Sequence, residues 1–193
     1  PDIHITFVPG LNLETTQRGQ GRHGYLINFY QLRPLSRGTC HIKSSDPNVT
    51  PIVDPQYLSS PHDVACMRDG FRLAQQIGKA KPLANYNAGH ISPDTPLKND
   101  EQIDAWVRAS ANTIFHPVGT CRMGADKGSV VDSELRVRGL GGLRIADASV
   151  MPAIIGGNTS APTIMIAEKC ADLLLGRPAL KMQSFETPEW GKS

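Results

Sequence analysis

LRIADASVMPAIIGGNTSAPTIMIAEKCADLLLG, residues 143–176, carries the change from extended chain to helix on which the fold reading turns. LRIAD is short, branched and apolar, and reads as a buried strand ending at Asp147. TIMIAEKCADLLL reads as a helix from Thr163 to Leu175, with Pro162 suited to its first turn, Gly176 as the C-cap and Pro178 beyond it. Between them lies GGNTSAP, where two glycines let the backbone come close to another group. Strand, glycine loop and helix in that order place polar residues where α/β sheets bind nucleotides, at the carboxyl end of a strand. The helix start adds unpaired N–H groups and the positive end of a dipole.

Upstream, NTIFHPVGTCRMG (112–124) sets His116 between an aromatic residue and a proline. SVVDSELRVRGLGG (129–142) predicts two short strands around a glycine turn. Earlier still, NDEQIDAWVRAS predicts a helix after Asn99, with acidic residues in its first turn and Ile103, Trp106 and Val107 on one face. A longer helix is expected from Ser60 to Gly78, because Val64, Met67, Phe71, Ala74 and Ile77 repeat at three and four; Pro61 suits its start and Asp63 supplies an acidic third position. Strands are expected at 3–8, 24–32, 38–43 and 51–53. LETTQRGQGRHG (13–24) reads as a mobile loop, NYNAGHISPDTP as an exposed one, and 178–193 as a tail.

Of the 193 residues, 39% are hydrophobic and 20% charged, and the net charge is +2. This balance describes a soluble globular chain and gives no basic face for a nucleic acid. Cys40, Cys66, Cys121 and Cys170 lack CxxC spacing, so they read as reduced, mostly buried thiols, not zinc ligands or a disulfide framework. A cytoplasmic location fits such cysteines. No apolar run approaches the roughly 20 residues of a bilayer span. The chain opens on PDIHITFV, without an initiator methionine, and reads as a piece of a longer protein.

Three blocks stand in order: FHPVGTCRMG (115–124), LRIADASVMP (143–152) and GGNTSAPTIMIAEKCADLLLG (156–176). Together with LRPLSRGT (32–39) and the Asp54-Pro55-x-Tyr57-Leu58 pattern, they resemble the C-terminal half of the glucose-methanol-choline oxidoreductases, nearest the choline dehydrogenase and aryl-alcohol oxidase branches. The resemblance covers residues 1–177. It implies an α+β fold, a mixed and largely antiparallel sheet with flanking helices. Residues 1–141 would form the substrate-binding domain, and 142–177 the closing strand and helix of an FAD-binding domain. The family's FAD fingerprint, a strand followed by GxGxxG and a helix, is expected in a missing N-terminal lobe and not in these residues.

What the resemblance implies chemically is the oxidation of an alcohol, with hydride passing from the carbinol carbon to flavin N5. The flavin is then reoxidised by oxygen or a quinone-type carrier. The hydroxyl proton must leave as the hydride does, and histidine, as a residue type, titrates near neutrality. His116 matches the family's catalytic histidine, accepting the hydroxyl proton or stabilising the alkoxide. Asn158 matches its partner across the substrate oxygen, where family members carry histidine or asparagine. An amide cannot act as a base, so proton transfer falls to His116. Asn158, Thr159 and Ser160 are expected against the flavin ring. Asp147 and Ala148 are expected against the ribityl and pyrophosphate portion through their backbone, with the Asp147 side chain capping the next turn.

Phe115 would wall the substrate, and Arg122 is expected to be a salt-bridge partner. His4, His23, His41, His62 and His90 are expected to be solvated. By itself the chain is expected neither to hold FAD tightly nor to turn over alcohols. Two rivals stand beside this reading: a flavin-containing hydroxynitrile lyase of the same fold, and a non-catalytic binding module.

Overall fold

The computed structural model describes residues 1–11, 23–178 and 181. The chain is α+β, with antiparallel pairing throughout its ladders. Strands β1 (Ile3–Val8) and β2 (Leu26–Gln31) pair from Ile3 opposite Gln31 to Val8 opposite Leu26. A separate hairpin joins β3 (Thr39–His41) to β4 (Ile52–Asp54). The strands thus form two two-stranded antiparallel ladders in place of one mixed sheet.

Helix α1 (Pro61–Gly78) lies on β2 and β1 and packs beside α3 (Asp100–Ser110). Its apolar face includes Val64, Phe71 and Ala74 as predicted, widened by Cys66 and Gly70. Gly70 is where the helix meets the sheet: a Cβ there would stand 2.7 Å from the Phe29 ring and 3.2 Å from Ile3. Phe71 and Trp106 stack with centroids 5.0 Å apart, and Val107 is 2% exposed, so a core of aromatic and branched side chains joins both helices. Asn99 caps α3 through its side chain, which accepts from the Gln102 N–H at 2.9 Å. Gly78 ends α1 as expected, but Pro82 begins a further short helix, α2 (Lys81–Ala84), because proline's fixed φ suits a first turn as well as it stops a preceding helix.

Asp63 has a larger part than its first-turn position implies. Its carboxylate is 1% exposed and accepts from the Leu35 N–H, the Ser36 N–H and hydroxyl, and the Gln31 amide, which ties α1 to residues 31–36. Burial pushes this carboxyl up, and the bonds from Leu35, Ser36 and Gln31 outweigh burial and leave it below the ordinary 3.8. On the outer side, Arg68 bridges to Asp104 at 2.5 Å and to Asp100 at 3.0 Å, and Arg72 also reaches Asp100.

A second core is built from Val131, Leu135, Val150, Met151, Ile166 and Cys170, with Val118, Met123 and Val137 against it. Helix α4 (Ser160–Leu175) covers it and ends at Gly176, whose φ of 64° is the left-handed C-cap. The helix starts three residues before Thr163; Pro162 still falls in the first turn, where its missing N–H costs nothing. The strands expected over 129–147 are not formed. Only single bridges occur there, Val131 to Met123 and to Val137, and Arg136 to Arg144. The Asp132 carboxylate accepts from the Glu134 and Arg136 N–H groups and Leu135 has a φ of 64°, so a tight turn changes the pairing partner before a ladder can extend. LRIAD is half-buried, with Leu143 48% exposed.

Packing changes partner between Ser110 and Val118. Among the described residues, no helix or strand before that point packs on one after it. The letters GxGxxG do occur once, as GQGRHG at 19–24, against the expectation that the pattern is absent; the element that follows them in the chain is β2 and not a helix. The rest of the expected 13–24 loop and most of the 178–193 tail lie outside the described residues. Cys66 and Cys170 are buried, Cys121 is half-buried and Cys40 is exposed, which corrects the expectation of mostly buried thiols: β3 has no buried face for Cys40 to enter. No described helix is long and apolar enough to cross a membrane.

Candidate active site

The segment before His116 is bent by its own side chains. Thr113 Oγ1 accepts from the Phe115 N–H at 2.9 Å, and Phe115 takes a φ of 62°. Left-handed backbone is costly for a bulky L-residue and persists only where neighbours enforce it. Beyond Pro117, the chain is fastened to the turn after LRIAD: the Cys121 N–H donates to Ser149 O at 3.0 Å and the Met123 N–H to Val150 O at 2.8 Å. That turn is a 3₁₀ helix, Ala148–Val150, capped by Asp147, whose carboxylate accepts from the Ser149 N–H at 2.7 Å. The Asp147 side chain is therefore engaged with its own turn, while Ala148 packs against the second core.

These ties bring His116 to the start of α4. Its Nδ1 lies 2.8 Å from Thr159 Oγ1, across 43 residues of sequence. Thr159 is 7% exposed and His116 is half-buried, so this bond is partly shielded from water. Nε2 makes no protein hydrogen bond among the described residues. Asn158 and Ser160, on either side of Thr159, are exposed, and no side chain caps the helix. Gly157 has open space around it.

The sequence-predicted residues therefore divide. His116 and Thr159 touch; Asn158 and Ser160 flank that contact; Phe115 precedes it with 81% of its surface exposed; Asp147 and Ala148 sit in the adjoining turn. No direct contact joins His116 to Asn158. Sequence reasoning placed Thr159 only against a flavin and missed its bond to His116, which a hydroxyl residue near a helix start does not by itself signal. Arg122 is paired with Asp126 through two bonds of 2.7 and 2.8 Å, and the guanidinium first, with burial opposing, holds that carboxyl well below the usual range. His4, His23, His41, His62 and His90 are all exposed.

Chemically, the arrangement offers one imidazole nitrogen fixed by a hydroxyl and one left without a partner, beside an exposed carboxamide and an uncapped helix start. It can exchange a proton with a bound group and attract partial negative charge.

Comparison with known proteins places this arrangement in a family. Residues 34–167 match the family model described as GMC oxidoreductase. The chain is 44% identical over 180 residues to an oxygen-dependent choline dehydrogenase of Escherichia coli O157:H7, covering 93% of this chain and 32% of that protein. It is 41% identical over 175 residues to an alcohol dehydrogenase [acceptor] of Pseudomonas putida, covering 91% and 32%. The crystal structure of pyridoxine 4-oxidase from Mesorbium loti superposes with a TM-score of 0.79 at 31% identity, over 86% of this chain and 32% of that one. The chain thus spans about a third of the length of these relatives. With the family match running from LRPLSRGT past the His116–Thr159 contact and into α4, the chain belongs to the GMC oxidoreductase family.

Proposed function

We propose that these residues form the substrate side of an FAD-dependent oxidoreductase that acts on the CH–OH group of a primary alcohol, with His116 as the base. The observation that carries this reading is the half-buried imidazole, held at Nδ1 by Thr159 and unpartnered at Nε2, next to the uncapped start of α4. A bound FAD would supply the acceptor for the hydride leaving the carbinol carbon. The residues present fit such a group. Gly157 offers space for close approach, Asn158 and Ser160 are exposed, and the free N–H groups at the helix start suit a ring edge that gains negative charge.

In the reaction, His116 Nε2 takes the hydroxyl proton. Asn158 donates its amide N–H to the same oxygen, where charge develops as the proton leaves. Phe115 excludes water from one side, and Asp147 and Ala148 hold the turn to which the His116 segment is tied. Residues 1–141 serve as the substrate domain and 142–177 complete the flavin domain. The acceptor that reoxidises the flavin is oxygen or a quinone-type carrier, and the 193 residues alone hold FAD weakly. The relatives' names support alcohols as the class; choline itself fits less well, since no cage of aromatic rings for a quaternary ammonium is evident among the described residues.

Anaerobic rapid mixing of the full-length, FAD-loaded protein with a panel of alcohols tests the reading. His116→Ala is expected to slow flavin reduction roughly a hundredfold, the scale of positioned base catalysis. An unchanged rate removes His116 from the mechanism, and a flavin that no alcohol reduces favours the lyase chemistry.

A further inference from the structure

We infer that Thr159 is a positioning residue for His116, its hydroxyl fixing Nδ1 so that Nε2 is the nitrogen presented to substrate. This rests on the proposed role of His116 and adds a residue to it.

The contact is 2.8 Å and its threonine is buried, so the hydroxyl is not a solvated group that happens to pass near a ring. Threonine at a helix N-cap ordinarily turns its oxygen onto the N–H of the second or third helical residue. Thr159 does not. Its backbone is in the helical region, φ −87° and ψ −8°, no side-chain cap is formed, and the oxygen is directed to the imidazole. The residue is itself held in place: its carbonyl accepts from the Thr163 N–H at 3.0 Å and from the Thr163 hydroxyl at 2.6 Å. β-branching restricts its side-chain rotation further. On the other side, the bend at Phe115 and the ties of Cys121 and Met123 to the 148–150 turn fix the backbone that bears His116.

The chemistry of the partner matters. A hydroxyl donates and accepts with equal ease, so it stays bonded whether Nδ1 carries a proton or a lone pair. A carboxylate in its place would favour the protonated ring and so lower the share of rings with a lone pair free to accept a proton. A neutral partner keeps the ring aligned through the proton cycle without opposing release of the proton. The nitrogen that binds a histidine in place also decides which nitrogen is free to react.

Two readouts test this. Nitrogen-15 NMR of the histidine-labelled 193-residue chain should show an Nδ1 resonance for His116 that moves in Thr159→Val, which keeps the shape and removes the oxygen. It should stay in place in Thr159→Ser. In the full-length, FAD-loaded protein, Thr159→Val should lower kcat roughly tenfold to a hundredfold with KM changed less than about threefold, the pattern of lost alignment. Thr159→Ser should recover kcat to within about threefold of wild type. Unchanged exchange protection along α4 would show that the valine variant is folded. Identical nitrogen spectra and kcat in wild type and Thr159→Val would overturn the inference even if His116→Ala is slow. If instead His116→Ala is as fast as wild type, the base assignment fails while the spectra still report the contact.

Discussion

The described residues up to Ser110 and residues 113–176 are held together by different means. The first part is organised by regular elements: two paired ladders, two long helices and a core of Val64, Phe71, Ile103 and Val107. Most of the second has one helix and a chain of turns, in which buried Val131 and Val150 are surrounded by single bridges and by carboxylates bonded to nearby N–H groups. Periodic structure satisfies its own backbone and leaves side chains to pack. Irregular structure must use side chains for both, and this frees the backbone to take the bends a reactive group needs.

The largest effect is expected where the regular part departs from this rule. Asp63→Ala would strip the acceptor from several shielded donors, and a loss of about 3 kcal/mol in denaturant unfolding is expected. Faster amide exchange should follow at Leu35 and Ser36 but not at Cys121 or Met123. The charge also gives a sign in pH. Because the Asp63 carboxyl is depressed on folding, its contribution is fully present above the ordinary 3.8 and is lost as pH falls through the lower folded value. Acid titration of stability below about pH 4 should therefore be shallower in Asp63→Ala than in wild type.

A second test addresses the separateness of the two cores. Val107→Ala and Val131→Ala should each cost about 2 kcal/mol, as buried branched residues with tight surroundings. Since no side chain is shared between the cores, the double variant should equal the sum within about 0.5 kcal/mol. Strong coupling would mean that the parts act as one cooperative unit. The smallest effect is expected at Arg122→Gln, which breaks the surface pair with Asp126. Unfolding should shift by less than about 1 kcal/mol, because exposed ion pairs contribute little.

The same contrast decides what could be read from sequence. The helices over 61–78 and 100–110 were legible because Val64, Phe71 and Ala74, and Ile103 and Val107, repeat at helical spacing. Strands β1 and β2 were legible because IHITFV and LINFYQ are branched and aromatic, though not their pairing. The 129–147 region misled because its valines and leucines look like strands, while the turn built by Asp132 is a matter of which N–H groups a carboxylate meets in space. Motif resemblance brought out His116, Asn158 and the turn at Asp147. It could not show that Thr159 Oγ1 is directed at the imidazole and not at the helix start, since either use suits a threonine at that position. Asp63 was legible as a first-turn acid, but not as the interior acceptor that it also is.

One close approach connects the two parts near the site. The Arg33 guanidinium passes over the backbone of Gly156, where a single added carbon would stand 3.1 Å from Nη2. A side chain at 156 would oblige the Arg33 guanidinium to shift by a few tenths of an ångström from the loop bearing Asn158 and Thr159. The absence of one carbon atom at position 156 thus lets the segment that follows β2 lie against the loop that leads into α4.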